Sequence, residues 1–167
     1  MDYSIVPIAE EHIGGFRAVV DAVARERKYL AMLEAAAPDA TRAFVRGNIA
    51  AGDPQFVVLV EGRVVGWSDL LRDRLRKSMA HVGTFGIGLM PAFRGRGIGR
   101  ALMAHTIEAG WALGLTRIQL SVRESNRNAI ALYEKFGFVR EGLHHRAVRI
   151  GDTYENTLTM ALLRETK

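Results

Sequence analysis

The sequence predicts one α/β (or α+β) domain built on a mixed sheet, and three observations carry that prediction. Strand-like apolar runs and helix-like three-to-four spacing follow one another in the order β, helices, ββ, β-loop-helix, β, helix, ββ. At 167 residues, 49% apolar and 25% charged, the chain has the size and apolar content of a single domain with a real core. No internal repeat, low-complexity tract or linker divides residues 1–167.

Residues 3–8 read as a short strand whose Pro7 suits an edge or an end. Ile13, Phe16, Val20 and Val23 then recur at helical spacing, with Gly14-Gly15 weakening the start. Arg25 to Ala37 continues this as a helical or partly helical polar segment that ends at Pro38. Asp39 is placed to cap a further helix carrying Phe44, Val45 and Ile49, which stops near Gly52. Phe56–Val60 and Arg63–Leu70 flank Glu61-Gly62 as a hairpin, and Leu71 to Ala80 reads as a solvated loop.

His81 to Met90 returns to strand, although Gly83, Gly86 and Gly88 weaken it; they imply a bulge or the close approach of backbone or ligand. The helix from Ile98 to Leu113 is apolar on two sides, with Ile98, Ala101, Leu102, Ala109 and Leu113 on one and Met103, Ile107 and Trp111 on another. Such a helix lies inside a layered fold. His105 shares the first face and reads as a hydrogen-bonded core histidine. Ile118–Val122 is a strand, Asn128–Phe136 a short helix stopped by Gly137, and the last two strands meet at Gly151-Asp152.

The absence of cysteine excludes a disulfide framework, a thiolate nucleophile and cysteine-ligated zinc or iron–sulfur sites. Adjacent His144 and His145 on a strand point to opposite faces and cannot serve one metal, so none is expected. Met1 to Glu11 has no apolar signal core and no stretch is apolar enough to span a bilayer, so a cytoplasmic protein with no membrane partner is expected. Lys and Arg number 23 against 18 Asp and Glu, a net charge of +5. Such an excess serves nucleic acid or an anionic cofactor equally well. The arginines are spread through the chain without a nucleic-acid motif, so the nucleic-acid reading ranks low.

The most informative stretch is Pro91-Ala-Phe-Arg-Gly-Arg-Gly-Ile-Gly-Arg100, between a strand and a helix. Glycines there let backbone N–H groups converge, and the helix N-terminus adds its positive end, which makes an anion cradle. A P-loop needs Lys then Ser or Thr where Arg100-Ala101 stand, and a dinucleotide fingerprint needs glycine where Arg100 or Leu102 stands. Both readings fail. The pattern Arg94-x-x-Gly97-x-Gly99, followed by Asn126-Arg-Asn-Ala-Ile-Ala-Leu-Tyr-Glu-Lys-Phe-Gly-Phe138, resembles the GNAT superfamily of N-acetyltransferases.

That resemblance covers essentially the whole chain and implies a three-layer fold with a mixed, mostly antiparallel sheet, splayed where acetyl-CoA binds. It implies that amides of Gly95, Arg96, Gly97, Ile98, Gly99 and Arg100, with Arg94 beside them, hold the pyrophosphate. The strand at Ile87, Gly88 and Leu89 would pair with the pantetheine arm, and Asn126 would bind that arm. Tyr133, on the packed face of its helix, would protonate the departing thiolate; the same position also suits a core tyrosine. The family often carries a glutamate base on the strand before the loop, and this strand offers none. His81, Glu26, Tyr29 and a water chain stay open as bases. Residues 25–33 resemble a branch acting on small amines, amino-acid-like compounds or protein amines, with further acceptor contacts from the 71–80 loop and the 144–154 turn. The family's frequent dimers imply a homodimer, and non-catalytic binding of acyl-CoA is a reading of another class.

Overall fold

Neighbouring residues of β2 (Gln55–Val60) are buried against opposite layers, and this decides the architecture. Val57 packs with α1 (Ile13–Arg25) and α2 (Pro38–Ala51), whereas Phe56 and Val58 pack with Ile98 and Leu102 of α3 (Ile98–Ala112). A strand buried on both faces forces helices on both sides of the sheet. The computed structural model describes residues 2–165. Its sheet has seven strands, adding β1 (Ser4–Pro7), β3 (Arg63–Arg72), β4 (Val82–Leu89), β5 (Arg117–Arg123), β6 (Val139–Ile150) and β7 (Thr153–Leu163) in the order β1-β2-β3-β4-β5-β7-β6. Pro7 thus lies on an edge strand, where its missing N–H breaks no ladder. Every neighbouring pair is antiparallel except β4 with β5.

The two-sided helix is found, although it ends at Ala112 and leaves Leu113, expected on the packed face, exposed. Ile98, Leu102 and Ala109 of α3 pack on β2 and β3, while Met103, Ile107 and Trp111 join the core beneath β5 and β7. The short helix α4 (Arg127–Lys135) closes that second core with Ile130 and Tyr133. His105 departs from expectation. It is exposed, its ring set edge-on to Phe56 with centroids 4.6 Å apart.

Among the described residues the single parallel ladder is short. It pairs Val82 with Arg117, Gly83 with Ile118 and Thr84 with Gln119, and no further. Beyond Thr84, β4 stays paired to β3 through Leu89, and β5 stays paired to β7 through Arg123. The sheet therefore forks along its middle. The β4 glycines follow from packed side chains, mostly of β3, rather than from a bulge. A Cβ at Gly88 would strike the Trp67 ring at 2.2 Å, one at Gly86 would lie 2.8 Å from Asp69 Oδ1, and one at Gly83 would meet Leu115 and Leu70.

Residues 26–37 are not helical. Arg27 adopts a left-handed conformation (φ +57°) that ends α1, and Pro38 begins α2 instead of ending a helix. Proline at the first helical position loses no intrahelical bond, and Asp39 makes no cap. The segment instead forms an ordered strap. Arg17 Nε donates to the Ala36 carbonyl, Ala35 N to Asp21 Oδ1, and Arg123 of β5 donates to the carbonyls of Arg27 (2.6 Å) and Leu30. Arg123 is 2% exposed, with Glu155 at 3.7 Å. This buried guanidinium fixes the strap across the open end of the fork, on the face of α1. Replacing Arg123 by Ala strands two carbonyls and should lower the unfolding free energy by about 2–4 kcal/mol, read by chemical denaturation.

Candidate active site

Two banks bound the mouth of the fork. On one, Gly95 (φ +71°) and Gly97 (φ +81°) turn the chain from β4 into α3 through backbone conformations that favour glycine. The first intrahelical bond of α3 is donated by Ala101 to Gly97. Among the described residues no acceptor meets the six amides from Gly95 to Arg100, and no side chain caps the helix. Converging unpaired amides at a helix start favour an anion. Arg96 and Arg100 are exposed and have no carboxylate partner among the described residues, so their charge is uncompensated beside the cradle.

Arg94 behaves differently from the loop's other arginines. Its Nη1 and Nη2 donate to Glu26 Oε2 and Oε1 at 2.9 and 2.5 Å, its Nε donates to the Leu89 carbonyl, and its guanidinium lies 5.0 Å over the Tyr29 ring. The guanidinium thus ties the loop to the strap. Glu26, expected as a candidate base, is corrected by this contact: hydrogen bonds from Arg94 hold its carboxyl below the ordinary range, which weakens it as a proton acceptor. His81 is corrected by position. It precedes β4, exposed, at the end away from the loop and about 25 Å along the strand, where its carbonyl accepts from Thr116 and Arg117. The 71–80 loop lies at that same far end, with Arg72 and Arg74 on Asp53 and Arg76 on Asp73.

The other bank is α4. Asn126 Oδ1 accepts from Ala129 N, capping the helix and leaving its amide nitrogen available. Tyr133 is buried, edge-on to Phe85 at 6.3 Å and tilted against Phe138 at 5.8 Å. Phe85 is the first β4 residue beyond the last rung with β5, so Tyr133 stands beneath the point where the fork opens. Burial pushes its phenol up to about 12, and it stays neutral through the physiological range. Ile87, Gly88 and Leu89 lie along the unpaired edge of β4.

One group escaped the sequence reading. Asp69, inside β3 and 7% exposed, has its carboxyl raised to about 7 by burial and by the nearby charge of Asp53. It shares the α1 face with Trp67, whose ring meets Phe16. The available signal was an acid interrupting the run Val64-Val-Gly-Trp-Ser-Asp-Leu-Leu71.

A sequence profile described as "Acetyltransferase (GNAT) family" matches residues 20–138. The chain belongs to the GNAT acetyltransferase family. This GNAT chain is 31% identical to an uncharacterised N-acetyltransferase of Mycobacterium tuberculosis over 149 residues, 83% of this chain and 92% of that one. It is 38% identical to an L-amino acid N-acetyltransferase of Escherichia coli over 60% of this chain and 63% of that one. A ribosomal protein bS18-alanine N-acetyltransferase of Salmonella typhimurium is 37% identical over 47% of this chain, which spans about half (53%) of that relative. A Salmonella typhimurium protein named as an acetyltransferase, solved with its cofactor acetyl-CoA, shares the fold at TM-score 0.93 and 16% identity, covering 100% of this chain and 96% of that one.

The Glu26–Arg94 tie carries a pH signature. A carboxyl with a lowered pKa stabilises the folded arrangement fully above the ordinary Glu value, and that contribution fades as pH falls through the lowered one. Amide exchange of residues 27–37, corrected for intrinsic rates, should therefore stay slow from pH 7 to about 5 and accelerate only in stronger acid, below roughly pH 4. Glu26→Gln should already show fast exchange at pH 7.

Proposed function

We propose that this GNAT domain transfers the acetyl group of acetyl-CoA directly to the primary amine of a small-molecule or amino-acid-like acceptor. The observation that carries the reading is the coincidence, at one end of the sheet, of an unpaired β4 edge with six acceptorless amides. Acetyl-CoA fits that combination, because it joins an anionic pyrophosphate to an arm of peptide-like amides and ends in an activated thioester. In this reading the amides of Gly95 to Arg100 bind the pyrophosphate with Arg96 and Arg100, and the β4 backbone at Ile87, Gly88 and Leu89 pairs with the arm. Arg94 serves indirectly, by fixing the loop against the strap. Asn126 offers its free amide nitrogen from the opposite bank.

Tyr133 gives its proton to the departing sulfur from the α3 and α4 face. The strap at residues 26–37 bounds the amine's approach from the other face. The relative named for L-amino acids supports the small-acceptor reading. A protein amine is the second reading: Tyr29, Met32 and Leu33 expose apolar surface on the strap beside the cofactor loop, and one relative is named for a ribosomal protein. A homodimer is proposed on the exposed edge strand β6, which carries exposed Val139 and Leu143. Among the described residues no helix is long and apolar enough to cross a membrane, and we place the reaction in the cytoplasm.

Free-thiol release from acetyl-CoA, screened across amines, amino acids and N-terminal peptides, tests the assignment; turnover on amino-acid-like amines above peptides is expected. Tyr133→Phe should lower kcat by about 10²-fold while leaving the calorimetric affinity for acetyl-CoA unchanged. An unchanged rate would remove Tyr133 from the chemistry.

A further inference from the structure

We propose that Asp69, whose carboxylate overlies Gly86 at the opening of the β4–β5 fork opposite Tyr133, is the general base that deprotonates the acceptor amine. The assignment rests on the acetyl-transfer reading above and adds the residue that reading lacks. The side chains offered as bases by the sequence are unsuited. His81 stands at the wrong end of β4, Glu26 is held by Arg94, and Tyr29 lies under the Arg94 guanidinium.

Asp69 is set across from Gly86 in the β3–β4 ladder, and Gly86 is the second β4 residue beyond the last rung with β5. A Cβ at Gly86 would come within 2.8 Å of Asp69 Oδ1, so the carboxylate lies directly over that backbone on the α1 face. Had the parallel ladder continued, Gly86 would face Ser121 across the opening, and Ser121 is exposed. Tyr133 approaches the same opening from the other face, against Phe85. An acid and a base on opposite faces of one gap suit direct transfer, in which the amine enters from one side and the thiolate leaves on the other.

The carboxylate is also chemically free. No donor reaches it among the described residues, and it is absent from the fully enclosed unpaired atoms, which are Gln55 Nε2 and Arg123 Nε. The residue keeps 7% of its surface exposed. Its partner across the β2 ladder is Gln55, 3% exposed, whose Oε1 accepts from Asn48 while Nε2 remains unpaired. Of the charged groups around it, Asp53 is occupied by Arg72 and Arg74, and Arg123 by the strap carbonyls. The buried residues of α1 and α2 are uncharged, as are Thr84, Gly86 and Gly88 of β4 and Gln119 and Ser121 of β5. Arg94 and Glu26 neutralise each other at the strap. Burial, with Asp53 nearby, keeps the carboxyl near neutrality, a useful range for a base at physiological pH.

The protons balance. The Asp69 carboxylate takes one proton from the acceptor ammonium and later releases it to solvent. The freed lone pair forms the C–N bond as the C–S bond breaks, and Tyr133 O–H protonates the sulfur. The second N–H proton, lost as the amide forms, restores Tyr133 through water.

The test compares wild type, Asp69→Asn and Gly86→Ala on the best amine from the thiol-release screen, with acetyl-CoA affinity measured by calorimetry. Wild-type kcat/KM should rise with pH through an inflection near 7. Asp69→Asn should lose about 10²-fold in kcat/KM and that inflection, with acetyl-CoA affinity retained. Gly86→Ala keeps the carboxylate but crowds Oδ1, and should lower kcat with affinity retained, so the proposal remains testable if Asp69→Asn misfolds. Wild-type rate and pH profile in either folded variant would overturn the assignment alone, as would parallel loss of acetyl-CoA binding and rate. Wild type that releases no thiol with any amine would overturn the transferase reading, and the base with it.

Discussion

Past Thr84, β4 forgoes the hydrogen bonds that would join it to β5, and the remainder of the molecule is arranged around that gap. Unpaired strand groups are tolerable only when water or a ligand meets them. Both flanking strands are therefore secured from their outer sides. β3 holds β4 through Leu89, β7 holds β5 through Arg123, and α3 and α4 fill the space beneath. Phe85, Tyr133 and Phe138 pack as one aromatic cluster beneath the gap.

The arginine excess acquires a distribution once side chains are placed. Many arginines sit in surface pairs, such as Arg25 with Asp21, Arg46 with Glu10 and Arg140 with Glu134. Exposed pairs of this kind contribute little to stability, about 0–1 kcal/mol each. Others act as struts: Arg94 and Arg123 bind the strap at residues 26–37 from two sides, one through a carboxylate and one through carbonyls. Among the described residues nothing compensates Arg96 and Arg100 beside the acceptorless amides, which concentrates positive potential there.

Much of the fold was legible because periodicity is local. The Glu61-Gly62 hairpin, with both residues at positive φ, and the two-sided α3 helix follow from turn chemistry and three-to-four spacing alone. The 26–37 segment was not legible. Its helix-compatible composition is overruled by polar ties to Arg17, Asp21 and Arg123, the last about 90 residues further along the chain. His105 was misplaced for a related reason. A face shared with Ala101 and Ala109 does not reveal that Phe56 covers the ring on one side only.

The sequence by itself determined the layered α/β class, the glycine-built turn into α3 and the family, because each rests on local patterns and on their order along the chain. Tertiary structure decided which side chains meet. It committed Arg94 to Glu26, removed His81 to the far end of β4, and set Asp69 over Gly86 through a cross-strand register that no local pattern encodes. Burial and the neighbouring Asp53 then raised the Asp69 carboxyl toward neutrality, a property the sequence cannot assign because it belongs to the environment rather than to the residue.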